Sequence, residues 1–205
     1  MSYKIAIIVG SLRKDSINRK VARSICGLRG DNLDCSMIEI GDLPLYNQDI
    51  DTDAPPAAWK RFREEVGAAD GVLFVSPEYN RGIPGVLKNA IDIGSRPYGQ
   101  SVFDKKPAAI VTVSPGSIGG FGANHQIRQA AVFLNMPIMQ QPEAYLGHVT
   151  PDSFDDEGCL KEGPLKELVK SLAHAFNDWV NMIHTSRRLI AEDAAHAAEA
   201  AKEHA

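Results

Sequence analysis

The chain has 205 residues, of which 44% are hydrophobic, and a formal net charge of −4. That length suits a single domain with one substantial core. Its 22 Lys and Arg are dispersed among 26 Asp and Glu and form no basic stripe of the kind a nucleic-acid backbone requires, and no apolar run is long enough to cross a bilayer.

The first element is a strand over 4–10, in which Ile5 to Val9 are apolar without alternation, the pattern of a strand covered on both faces. It breaks into Gly10-Ser-Leu-Arg-x-x-Ser-x-Asn18. Ile17, Val21, Ile25 and Leu28 then repeat at helical spacing and predict a helix over 17–29. The first N–H groups of such a helix lack intrahelical partners and its dipole end is positive, so an anion is stabilised there. Ser11, Arg13, Ser16 and Asn18 add donors, of which only Arg13 is ionised, which suits a phosphate monoester better than a triphosphate with magnesium. Neither the Walker lysine pattern nor the dinucleotide glycine fingerprint is present. On this loop alone, simple helix capping by Ser16 and Asn18 is an equal alternative.

A strand over 33–40 and a helix over 55–69 follow, the latter with Trp59, Phe62 and Val66 on one stripe and Pro55 and Pro56 at its start. The third strand, 71–76, ends in Ser76-Pro-Glu-Tyr-Asn80, and a helix over 83–94 comes next. A fourth strand, 108–113, runs into Ser114-Pro-Gly-Ser-Ile-Gly-Gly-Phe-Gly122, whose glycines let a flat ligand approach the backbone. Helix 123–135, strand 137–145 and helix 164–185 complete a strand–helix alternation that predicts an α/β fold with a parallel sheet covered on both faces. Residues 1–185 are read as the domain and 186–205 as an alanine-rich tail, helical or frayed.

Three polar loops at the carboxyl ends of three parallel strands form the crevice in which open α/β sheets bind ligands. Taken in this order, the motifs at 10–18, 76–80 and 114–122 resemble those of the NADPH-dependent FMN reductase family, in its bacterial quinone and chromate reductase branch. The resemblance covers roughly Lys4 to Asn181. It implies a flavodoxin-like three-layer α/β/α sandwich with a five-stranded parallel sheet of order 2-1-3-4-5. It further implies FMN as cofactor, held by Ser11, Arg13, Ser16 and Asn18 at the phosphate, by Pro77, Glu78, Tyr79 and Asn80 beside the ring, and by Ser114, Gly116 and Gly119 from the other strand end. Glu78 and Tyr79 are read as positioning groups and no residue as a catalytic acid or base, since hydride transfer is the flavin's own chemistry. NADPH or NADH is the implied co-substrate, with Arg13, Arg81 and Arg96 as candidates for the 2′-phosphate. A quinone is the implied acceptor, with chromate, ferric chelates, azo compounds or flavin as looser ones, in a ping-pong sequence. The alternative reading is a flavodoxin-type electron carrier or redox sensor without NAD(P)H oxidation of its own.

The expected partners are a small-molecule acceptor and further copies of the chain, as a homodimer or homotetramer by resemblance; neither nucleic acid nor membrane insertion is expected. Cys26, Cys35 and Cys159 are widely spaced and lack a Cys-x-x-Cys pair, which disfavours a disulfide framework or a zinc site. The six histidines show no metal-ligand spacing, so no metal is expected, and His125, beside the third loop, is left out of the site. The absence of a basic, apolar leader points to the cytoplasm.

Overall fold

The computed structural model describes residues 2–28 and 32–203 and arranges five parallel strands in the order β2-β1-β3-β4-β5. These are β1 (Tyr3–Val9), β2 (Leu33–Ile38), β3 (Gly71–Ser76), β4 (Ala108–Val113) and β5 (Ala144–Leu146). The helices are α1 (Ile17–Leu28), α2 (Ala57–Gly67), α3 (Gly85–Gly94), α4 (Phe121–Phe133) and α5 (Pro164–Glu203). The order is the flavodoxin-like one expected.

The chain leaves β1 for β2 in one direction along the sheet and then moves from β3 to β5 in the other. Right-handed crossovers therefore place the connecting helices on opposite faces. On one face Ile5, Ile7 and Val9 pack with Val21 and Ile25 of α1 and with Leu172 and Phe176 of α5. On the other, Ala6, Ile8 and Phe74 pack with Trp59 and Phe62 of α2, Leu87 of α3 and Ile127 of α4. Alternate residues of β1 thus serve two cores, which is why the strand shows no polar face. Phe62 is fully buried, and Phe62→Ala at such a site costs about 3–5 kcal/mol. Between β1 and β3 the strand order reverses, and the loops that follow these two strands open the crevice.

Several boundaries differ from the sequence expectation for local reasons. Helix α2 begins after Pro55 and Pro56, with Pro56 at its N-cap, and α3 begins at Gly85 because Pro84 disfavours helical backbone at Ile83. Helix α4 starts two residues early, at Phe121, because Gly120 turns the chain with φ 81°. Strand 137–145 is divided: Ile138 bridges to Ala108, and pairing resumes only at Ala144. Pro137 and Pro142 cannot donate to a ladder, and the bend between them leaves the sheet. Helix α5 continues past 185 through an alanine- and glutamate-rich stretch of high helix propensity, although Leu189 and Ile190 are exposed. Arg29, the expected end of the first helix, and the last two residues of the tail lie outside the described residues. Among the described residues no helix is long and apolar enough to cross a membrane.

Candidate functional site

The first loop is tied to the neighbouring strand by Gly10 N–H, which donates to Val75 O at 2.9 Å. A Cβ at Gly10 would stand 2.7 Å from Ser76 Oγ, so the close approach requires glycine. Beyond it Ser11, Ser16 and Asn18 are 4%, 3% and 3% exposed, while Arg13 is exposed. Ser16 is the N-cap of α1, its Oγ accepting from Arg19 N–H at 3.2 Å. The first turn of α1 contains no acidic side chain. Asn18 Oδ1 is buried without any hydrogen-bond partner, which is costly in a closed interior and marks a position where a donor is missing. Ser16 therefore does cap the helix, but capping leaves Asn18 unexplained.

The second loop is a tight turn in which Tyr79 N–H donates to Gly82 O and Gly82 N–H to Tyr79 O, both at 2.9 Å. Asn80 and Arg81 occupy the left-handed region at φ 52° and 65°, as a type I′ turn demands. Glycine is favoured there; holding arginine in that conformation costs about 1–2 kcal/mol. Tyr79 is exposed, and the Glu78 carboxylate is turned inward. Glu78 Oε2 accepts from Ala123 N–H at 2.9 Å, at the start of α4, and Glu78 Oε1 lies 3.4 Å from Arg81 Nη1. Gly120, the N-cap of α4, has no side chain with which to cap it, so Glu78 supplies the acceptor from another loop.

In the third loop Ser114 Oγ accepts from Gly116 N–H at 3.1 Å. Gly116 is exposed, and a Cβ there would meet Ser114 Oγ at an ordinary contact distance of 3.5 Å. Gly119 is buried and turned towards β5: at φ 63° its Cβ would lie 2.4 Å from the backbone carbon of Tyr145. Beside this loop, and outside the expected site, Phe121, His125 and Tyr145 cluster, with His125 Nε2 3.3 Å from the Tyr145 hydroxyl, which donates to Glu143 at 3.0 Å. Burial pushes the Tyr145 phenol above its usual pKa, and Glu143 adds to the shift.

The first and second loops enclose a cleft of about 460 Å³ lined by Gly10, Leu12, Arg13, Tyr79, Pro84 and Val86, within the usual range for ligand sites. Leu12 and the first turn of α3 were not among the residues expected there; their only sequence signal is adjacency to the polar motifs. A larger groove of about 680 Å³ between α3 and α4, bordered by Ile91, Gln129 and Phe133, contains no residue of the three loops. Of the eleven residues expected in the site, Arg13 and Tyr79 line the smaller cleft, and no residue of the third loop borders it. Among the described residues no group of His, Cys, Asp and Glu is placed to hold a metal.

The NADPH-dependent FMN reductase family matches residues 3–151, which include all three loops. The chain belongs to this family. It is therefore an oxidoreductase that works with FMN and NAD(P)H. This FMN reductase-family chain is 56% identical over 180 residues to a quinone reductase of Pseudomonas putida, covering 88% of the chain and 96% of that protein. It is 41% identical to a 2-hydroxy-1,4-benzoquinone reductase of a Burkholderia species, over 88% of the chain and 97% of the relative. The solved structure of FerB, a flavoenzyme NAD(P)H:acceptor oxidoreductase of Paracoccus denitrificans, superposes with a TM-score of 0.82 at 36% identity, over 88% of this chain and 98% of that one.

The residues present fit FMN on grounds of their own. A positive helix end with no acidic side chain in its first turn, an arginine lining the cleft and buried hydroxyls suit its phosphate. The partnerless end of Asn18 could be completed by a ligand hydroxyl, or by a phosphate oxygen with the amide turned over.

Proposed function

We propose that this protein is an NAD(P)H:quinone oxidoreductase in which Ser11, Arg13, Ser16 and Asn18 hold the FMN phosphate at the start of α1. Pro77, Glu78, Tyr79 and Asn80 border the ring on one side, and Ser114, Gly116 and Gly119 shape the loop on the other. The observation that carries the reading is the buried Asn18 Oδ1, left without a partner in the first turn of α1, directly after the loop whose Arg13 lines a cleft shared with Tyr79.

When bound, FMN supplies the hydride-accepting and hydride-donating chemistry. The chain's share is binding and orientation. Arg13 neutralises the phosphate, and Ser16 keeps the first turn of α1 pointed at it. Glu78 fixes the second loop against α4, and the exposed Tyr79 forms a wall of the cleft. NAD(P)H and acceptor use this cleft in turn, which gives ping-pong kinetics. Quinones are the preferred acceptors on the strength of the quinone-reducing relatives, with chromate, ferric chelates, azo compounds and flavin as secondary ones. The enzyme works in the cytoplasm as a homodimer or homotetramer; the exposed Val132 and Phe133 on α4 support association.

The deciding experiment is an anaerobic titration of the purified protein followed by its visible spectrum. Flavin absorbance should bleach with NADPH or NADH and return with a quinone, and double-reciprocal initial-rate plots should be parallel. A flavin that stays oxidised with both dinucleotides refutes the reductase reading, and intersecting lines refute the ping-pong order. A single-chain mass of 22.3 kDa in light scattering would remove the oligomer.

A further inference from the structure

Arg81 occupies a backbone position where glycine would be unstrained, at φ 65°, yet it carries a long cationic side chain that is 73% exposed. Such outliers persist where the surroundings hold them, and they collect at ligand-binding positions. Here the support is visible. Glu78 is only 10% exposed in its side chain; one carboxylate oxygen is fixed by Ala123 N–H, and the other stands 3.4 Å from Arg81 Nη1. Gly122 makes room for this strut, because a Cβ there would be 2.5 Å from Arg81 O and 2.9 Å from Glu78 Oε2. The guanidinium has five N–H donors, and among the described residues Glu78 is its one charged partner. It is thus a tethered cation, two residues from Tyr79 in the wall of the cleft, with most of its donors facing solvent.

The other two candidate arginines are otherwise placed. Arg13 faces the cleft beside the α1 N-terminus, where the FMN phosphate is proposed. Arg96 lies beyond the far end of α3, about 15 Å along the helix from Gly85, and points Nη1 at Ser95.

We propose that Arg81, held by Glu78, is the anchor for a phosphate of the nicotinamide dinucleotide at the mouth of the cleft. This rests on the reductase reading above. The shared chemistry is a phosphate dianion or diester meeting a guanidinium fork, and the dinucleotide offers two sources, the pyrophosphate and the 2′-phosphate of NADPH. Glu78 acts through Arg81 as a positioning residue.

The test is calorimetric titration of the FMN-loaded protein with two unreactive fragments, ADP-ribose for the pyrophosphate and 2′,5′-adenosine diphosphate for the 2′-phosphate. Arg81→Gly relieves the turn, so the fold is kept, and Arg81→Lys retains the charge. Arg81→Gly should weaken at least one fragment by about tenfold, as expected for a lost charge-assisted hydrogen bond, with Arg81→Lys intermediate and the FMN dissociation constant unchanged. A loss confined to 2′,5′-adenosine diphosphate assigns the 2′-phosphate and predicts a matching rise in KM for NADPH alone; a loss with ADP-ribose assigns the pyrophosphate. Unchanged affinities in Arg81→Gly, or no measurable binding of either fragment to the parent protein, overturn the proposal. Loss of the flavin reading would show separately, as a parent protein that retains no FMN.

Discussion

Helices α1 and α4 begin alike. Each follows a buried parallel strand, each opens at the carboxyl end of the sheet, and each presents unpaired N–H groups and the positive end of a helix dipole. At α4 the chain closes this end itself, bringing Glu78 from 45 residues away to accept from Ala123 N–H. At α1 the first turn contains no acid, Ser16 satisfies only Arg19 N–H, and Asn18 is left with a buried polar atom unpaired. With the FMN phosphate placed as proposed, the anion site is the helix end that the chain does not close with a carboxylate, since the dipole is common to both.

The largest effect that tests this contrast is at Arg13. Arg13→Glu should weaken FMN binding by about 100-fold or more, because a charge-assisted hydrogen bond of about 1.5–3 kcal/mol is lost and repulsion is added. Fluorescence titration of the apoprotein reads this directly, and unchanged affinity would remove Arg13 from the phosphate site. Next is Ser16→Asp, which separates capping from ligand binding. Aspartate caps as well as serine does, so the unfolding midpoint should hold within about 2 °C. A carboxylate at the open end should nevertheless lower FMN affinity by about tenfold. Full affinity in that variant would leave Ser16 as a helix cap alone.

Much of this arrangement was legible in the sequence because the strands are covered on both faces. Ile5 to Val9, Gly71 to Ser76 and Ala108 to Val113 read as strands from unbroken apolar runs, and each breaks at a polar or glycine-rich motif where the structure has a loop. The Ser16 cap was equally visible. Pairings distant in sequence were not. Nothing local to Glu78 specifies Ala123, and the Asn80-Arg81 turn lacks the glycine that usually marks a type I′ geometry. Gly119 reads as a glycine for a ligand but is required by the backbone of Tyr145. The extension of α5 is set by alanine propensity, with few apolar contacts to give it a pattern.

The smallest effects belong to the closed end, and they decide what closes it. Glu78→Ala leaves Ala123 N–H without its acceptor and should cost about 1–2 kcal/mol, lowering the midpoint by about 2–8 °C in a chain of this size. Gly122→Ala tests the same strut without touching a charge, since its methyl would displace Glu78 Oε2 and Arg81 O, and should destabilise in the same direction. Glu78→Gln is the discriminating variant. Glutamine still offers an oxygen to Ala123 N–H but brings no charge to the helix dipole or to Arg81. If the hydrogen bond closes α4, Glu78→Gln should retain most of the stability, with a fall of about 1–2 °C from the lost dipole interaction. A fall equal to that of Glu78→Ala would mean that charge closes α4, and the contrast with α1 would then be one of electrostatics alone.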